Sequence, residues 1–424
     1  MSHPAAPRRP LLQNLAALFG AQAVALIVPL LTIPYLARTL RPEGWAAVLV
    51  AQALGNWLIL LVEYAFDLSG TRAVAHARRA PDTMAEVVGG VQGAKLLLVP
   101  IAALIVLVVP YALPAMRAEG RLLAWTLAFA VLRGLNPLWY YQGIERMRGA
   151  VTVDTVARTA ASLGVLLFVH GPEDGWRVLA LQAVFAGLSL VLLTGRMMRE
   201  VPTRFPTPRA AFASLRAASG VFGVRAASGL SIQANTLILA ALAAPVTVAL
   251  FGGAERIIRA SINLLQPLTQ AFLPRLSYLS VADPARGRRT VERCLLLVGG
   301  LGTSFGVVAF VGAPVLVHLL LGPGYEGAVP VLRVLAALPI LVAVNTVLGM
   351  YWAVPFGHER ALLLAVAGAG IINIALAVLL VPRWGAIGMS AAVVGAELVV
   401  LALLGSLYGR RRAAAKSSSA ALSS

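Results

Sequence analysis

From residue 12 to residue 408 the chain is a succession of apolar runs joined by short polar connections. Each run is about 20 residues long, enough for one helical crossing of a bilayer's hydrocarbon core. Lipid offers no partner to backbone N–H and C=O groups, so such runs must close their hydrogen bonds internally, as helices. The predicted runs are 12–36, 45–66, 86–110, 121–142, 151–170, 177–195, 218–241, 247–272, 291–317, 329–352, 361–381 and 387–408. About 12 crossings use almost the whole chain and leave no room for a soluble catalytic domain. With 59% hydrophobic and 12% charged residues, the composition is that of an all-α polytopic membrane protein.

The net charge of +18 would suit nucleic acid if the bases shared one water-facing surface. They fall instead in alternate connections, roughly 22 Lys and Arg on the side of the N-terminus and about 6 on the other. The partner this predicts is the lipid bilayer, not nucleic acid, with both termini and the 196–217 connection in the cytoplasm. The opening MSHPAAPRRP leads into a run too long for a signal peptide and without a small-residue cleavage site, so it reads as an uncleaved first span. Cys294 is the single cysteine and the five histidines are scattered, so no disulfide, metal site or other cofactor is expected.

The longest polar stretch, Arg196 to Ala217, contains Pro202, Pro206, Pro208 and five arginines, and divides six runs from six. The predicted organisation is an N-terminal lobe 1–195, a linker 196–217, a C-terminal lobe 218–408 and a basic, disordered tail 409–424. A faint repeat at an offset of 203 residues matches Pro42 and Ala46 to Pro245 and Ala249, and Arg72 to Arg275. Both halves start on the same side, as in parallel repeats about an axis along the membrane normal.

Several runs carry polar groups that lipid would not tolerate. In Leu132–Met147, LRGLNPLWYYQGIERM, Pro137 clashes with the carbonyl of Arg133 and should kink the helix, freeing that carbonyl. Trp139, Tyr140 and Tyr141 then read as an interfacial aromatic belt. In the second run Gln52, Asn56, Glu63 and Asp67 fall within a single arc of about 60°. In the eighth, Glu255, Arg256, Arg259, Asn263, Gln266 and Gln270 share an arc of about 100°. Arg225, Ser228, Ser231 and Asn235 line one side of the seventh, and Lys95 sits inside the third. Inter-helix packing alone would account for Asp154 with Arg158 and for Arg333; Glu397 reads either way. A six-residue polar stripe is more than one structural ion pair needs, and intramembrane ionisable groups are usually functional. Enzyme readings find no purchase, since Glu173-Asp174 is the one adjacent acid pair, in a short outer connection.

Six stretches taken together resemble one known family: PLLTIPYLARTLRPEGW at 29–45, EYAFDLSGTRAVAHAR at 63–78, NPLWYYQGIERM at 136–147, FGGAERIIRA at 251–260, QPLTQAFLPRLS at 266–277 and LVPRWGAIGMSAAVVGAE at 380–397. The family is the polysaccharide (O-unit, Wzx-type) flippases of the multidrug/oligosaccharidyl-lipid/polysaccharide (MOP) exporter superfamily. Its motif is carried by Asn136, Pro137, Trp139, Gln142, Gly143 and Glu145, and its PEG-aromatic-Gly element departs from pattern only at Ala46. The resemblance implies two pseudo-symmetric six-helix lobes about a central cationic cavity, in the bacterial inner membrane. It implies alternating-access transfer of undecaprenyl-pyrophosphate-linked oligosaccharide units for O-antigen, capsule or exopolysaccharide, with a polymerase and a chain-length regulator as partners.

On that footing Arg225, Arg256 and Arg259, with Lys95 and Arg133, are the expected pyrophosphate ligands, since Arg offers bidentate donors and a permanent charge. Gln52, Asn56, Asn263, Gln266 and Gln270 are expected to bind sugar hydroxyls. Glu63, Asp67 and Glu255 are the acids a coupling proton or sodium ion could neutralise. A lipid II flippase or a drug/cation antiporter of the same superfamily is the alternative; a structural scaffold would not need the stripe at 255–270.

Overall fold

Proline and interrupted helices shape this chain more than any other local feature. The structure, a computed structural model, describes residues 8–202 and 207–421. Among them it holds helices and turns and no strand. The chain divides into two compact units, Met1–Arg225 and Ala226–Ser424. The division thus falls inside a helix, beyond the end of the predicted linker at Ala217.

The first unit contains α1 (Arg8–Glu63), α2 (Phe66–Ala77), α3 (Pro81–Ala112), α4 (Gly120–Gly134), α5 (Leu138–Gly143), α6 (Met147–Phe168), α7 (Gly175–Glu200) and the start of α8 (Pro208–Leu242). α1 is two helices joined across a kink at Arg41, whose φ is positive (58°). Pro42 opens the second piece, where its missing N–H costs nothing. Gly44 follows because the backbone of Pro172 comes so close that a Cβ would stand 2.9 Å from its oxygen. α4 packs against both α1 and α7. A buried cluster of Phe66, Val74, Met84, Trp139, Leu193 and Met197 ties α2, α3, α5 and α7 together.

The second unit holds the rest of α8, then α9 (Pro245–Asn263), α10 (Gln266–Ala282), α11 (Pro284–Val311), α12 (Ala313–Leu320), α13 (Ala328–Leu335) and α14 (Leu338–Thr346). A wide π-helical turn, Val347–Ala353, follows, and then α15 (Glu359–Ala421). α15 is again two helices joined across a kink, at Gly385 (φ 51°). α14 packs on α11, and α13 on α9 and α15.

Each predicted run is helical over most of its length, several being interrupted by turns, and eight helical stretches among the described residues are long and apolar enough to cross a membrane. Two of these, Leu31–Ala77 and Glu359–Ala413, are 47 and 55 residues long and contain the breaks at Arg41 and Gly385. This is a multi-pass membrane protein. Three expectations need correction. The tail beyond Tyr408 continues α15 as helix to Ala421. Trp139, Tyr140 and Tyr141 are not a belt: they are 2%, 2% and 5% exposed, inside the core of the first unit. Both polar stripes cross helix breaks, described next, so the 100° rule loses its phase along them.

Candidate functional site

In the first unit two helix breaks lie side by side. One separates α1 from α2 at Tyr64 and Ala65, both left-handed (φ 47° and 58°). The other separates α4 from α5 at residues 135–137. Gly134 packs on Val62 so closely that a Cβ would lie 2.7 Å from it, and Gly70 sits against the ring of Trp139. The hydroxyl of Thr71 donates to the carbonyl of Trp139 at 3.0 Å. The chain therefore departs from helical form twice at one level, which lipid permits only where the freed backbone groups find partners.

Lys95 supplies such partners. It has no exposed surface, and its ammonium donates to the carbonyls of Gly134 at 2.8 Å and Asn136 at 3.3 Å. It also stands 5.9 Å from the centre of the Trp139 ring. The carbonyl of Arg133, expected to be freed by Pro137, instead accepts the N–H of Asn136 at 3.2 Å. The helix ends at Gly134, so Pro137 displaces no bond of Arg133. Arg133 grips Asp154 through both terminal nitrogens, and Arg158 adds its Nε at 2.9 Å. Asn136 donates to Ser189 at 3.1 Å, and Ser189 to Asp154 at 3.4 Å. Lys95 and Arg133 thus hold the break in place rather than present open cations to a ligand.

Arg225 ion-pairs with Asp67 at the start of α2, and beside them Tyr64 stacks on Phe222 at 4.1 Å. Asp67 therefore belongs to a different helix from Gln52, Asn56 and Glu63. Of these three, Asn56 is exposed and the others half-buried. The remaining motif residues lie where α5 ends: Gln142 is exposed, and Gly143 is buried with its carbonyl taking the Nε of Arg78 at 2.6 Å. Glu145 is left-handed (φ 61°) and pairs with Arg78 at 3.0 Å.

In the second unit α9 ends at Asn263 and α10 resumes at Gln266, so this stripe too is split. Arg259 donates Nε at 3.0 Å and Nη2 at 2.7 Å to one oxygen of buried Glu255. Its own side chain remains 43% exposed, and Arg256 beside it is half-buried. Arg225 and Arg259 thus each hold a carboxylate. Asn263 and Gln266 are exposed on either side of the break, while the side chain of Gln270, like those of Ser228 and Ser231, lies outside the described residues. Gln266 lines a cavity of about 280 Å³ together with Ile262, Val298, Ala343 and Thr346. Two buried amide contacts escaped the sequence reading. Asn373 donates to Asn235 at 2.7 Å, and Asn345 donates to Glu397 at 2.7 Å. Periodicity cannot find such pairs, whose members lie 138 and 52 residues apart.

Helices interrupted inside the membrane and laced with ion pairs are the construction of a secondary transporter, and the fold is that of the MOP superfamily. A lipid II flippase, MurJ, in an inward closed conformation superposes with a TM-score of 0.71, covering 92% of this chain and 86% of the other at 11% identity. A multidrug resistance MATE family transporter of the MOP superfamily, inward-facing, gives 0.63 over 92% and 98% at 17% identity. The chain belongs to the polysaccharide biosynthesis protein family, whose pattern it matches over residues 11–280. It is 27% identical to a "Putative O-antigen transporter" of Escherichia coli (strain K12), over 92% of this chain and 95% of that one. A second relative of the same name, from Shigella dysenteriae, is 26% identical over 92% and 98%. These relatives are named as transporters, not enzymes, and they bear out the resemblance drawn from the six motifs.

Proposed function

We propose that the protein is a flippase of the bacterial inner membrane that moves undecaprenyl-pyrophosphate-linked oligosaccharide units from the cytoplasmic to the outer leaflet, for surface polysaccharide assembly. The observation that carries this reading is the pair Glu255–Arg259 one turn before the break between α9 and α10, with Asn263 and Gln266 exposed around it. Arg259 is held by a single carboxylate oxygen and remains partly open, so a pyrophosphate oxygen can take the place of Glu255 as its partner. Guanidinium suits that exchange, because its planar fork serves carboxylate and phosphate alike. The exposed amides can donate to and accept from sugar hydroxyls. In the first unit Asp67–Arg225 offers a second arginine held by an exchangeable acid. The relatives' names and the flippase fold of the neighbours support the same substrate class.

Complementation of a strain lacking its own O-unit exporter tests this. Arg256→Ala and Arg259→Ala should abolish surface glycan while leaving protein level and membrane insertion near those of the parent. Arg259→Lys should restore only part of it, because a point charge replaces a fork. Normal export by either alanine variant, or loss of export through degradation of the protein, would return these arginines to a packing role.

A further inference from the structure

Glu397 lies within the apolar stretch Glu359–Ala413, and no ion pair holds it among the described residues. It is half-buried, and the group that meets it is an amide. Asn345 of α14, 8% exposed, gives its Nδ2 to the Glu397 carboxylate at 2.7 Å and to the main-chain oxygen of the same residue at 3.0 Å. The other end of that amide is unmatched: Asn345 Oδ1 is buried and accepts no hydrogen bond. An ionised carboxylate cannot supply the missing donor. A protonated one can, because a carboxylic acid and a primary amide pair through two hydrogen bonds, N–H to C=O and O–H to C=O. An orphaned buried acceptor costs about 1–3 kcal/mol, so the arrangement is one hydrogen short of being satisfied.

We propose that Glu397 and Asn345 form a proton-binding site in the second unit, loaded when Glu397 takes a proton from the aqueous phase and discharged when it returns it. Uptake turns a carboxylate into a neutral acid, and the new O–H donates to Asn345 Oδ1. Two features beside the pair make it consequential. Asn345 stands two residues before the π-helical turn Val347–Ala353, and wide turns of this kind are frequent at functional sites. Thr346, the next residue, lines the cavity of about 280 Å³, which gives water a way toward the amide. The elements packed most on α15 are α9, α13, α14 and the wide turn, while α8 reaches it through Asn235 and α11 through the Glu292–Arg412 ion pair. From α9, the charge of Arg259 acts on Glu397, and Arg259 is itself engaged by Glu255. From α13, Arg333 lies over the ring of Phe310 at 5.7 Å instead. The acids expected to carry coupling, Glu63, Asp67 and Glu255, do not include this one.

Because the site would drive the transport proposed above, it rests on that reading, and the test separates the two. The full-length protein is reconstituted in lipid and its pH-difference infrared spectrum recorded, in the carboxyl stretching region, for the parent, Glu397→Gln and Asn345→Ala. One titrating carboxyl band should disappear in Glu397→Gln and shift its midpoint in Asn345→Ala, which keeps the acid and loses only the amide. In the same vesicles, transfer of a fluorescent undecaprenyl-pyrophosphate glycan should respond to an imposed pH difference in the parent and lose that response in Glu397→Gln. A spectrum unchanged by Glu397→Gln overturns the proton site, whether or not the parent moves the glycan. A band that behaves as expected in a protein that moves no glycan upholds the site and removes the flippase reading.

Discussion

A lysine with no exposed surface inside a membrane helix must be held by something, and Lys95 is held by two carbonyl oxygens. Lys95→Met should therefore leave the oxygens of Gly134 and Asn136 without a donor, at about 1–3 kcal/mol for each buried orphan. Relief from burying a charge offsets part of this, so a net loss of about 1–3 kcal/mol is expected, read as a lower melting temperature of the purified protein in detergent. A Lys95→Met protein as stable as the parent would show that the break does not depend on the ammonium. The sequence reading found Lys95 as an intramembrane cation and made it a phosphate ligand. What it lacked was the distance to residues 39 and 41 positions away. The same holds for Arg225, whose partner Asp67 is 158 residues off, on the far side of most of the first unit's helices. Charge type was legible, but its partner was not.

Element by element, the breaks decide what could be read. The break before α5 announces itself through Pro137, since proline cannot extend a helix from within. The break at Tyr64 and Ala65 carries no such mark, because left-handed backbone is the province of glycine and asparagine, not of tyrosine and alanine. The break at Leu264 and Leu265 does carry a mark, Pro267 at the second position of α10, yet both polar stripes looked continuous when their helices were not. The two breaks of the first unit are fitted to each other at Gly134, and that fit can be tested by filling it. Gly134→Ala places a methyl 2.7 Å from the side chain of Val62. Overpacking of this kind costs about 1–3 kcal/mol, so the variant should melt at a lower temperature. Val62→Ala in the same chain should recover most of the loss. Two additive losses would mean that the breaks do not bear on each other there.

For the molecule as a whole, the sign of each connection is the feature set most directly by the sequence. Lys and Arg are costly to carry across a membrane, so they remain in the cytoplasm and fix which way each helix runs. The connection between α6 and α7 is predicted to lie outside, and those after α5 and α10 inside. Arg148 and Arg288 stand near the starts of α6 and α11, next to the two basic connections, and Glu173 in the outer one, and all three are exposed in the structure. The chain's single thiol, Cys294, is buried. Cys294→Ala therefore gives a cysteine-free parent at the expense of one small core side chain. In that parent, Glu173→Cys should react with a membrane-impermeant maleimide applied to whole cells. Arg148→Cys and Arg288→Cys should react only after the membrane is opened. Labelling of Arg288→Cys from outside would reverse the second unit relative to the charge bias, and the parallel arrangement of the two halves would fall with it. If instead all three report as expected, the predicted lobes 1–195 and 218–408 both start from the cytoplasm.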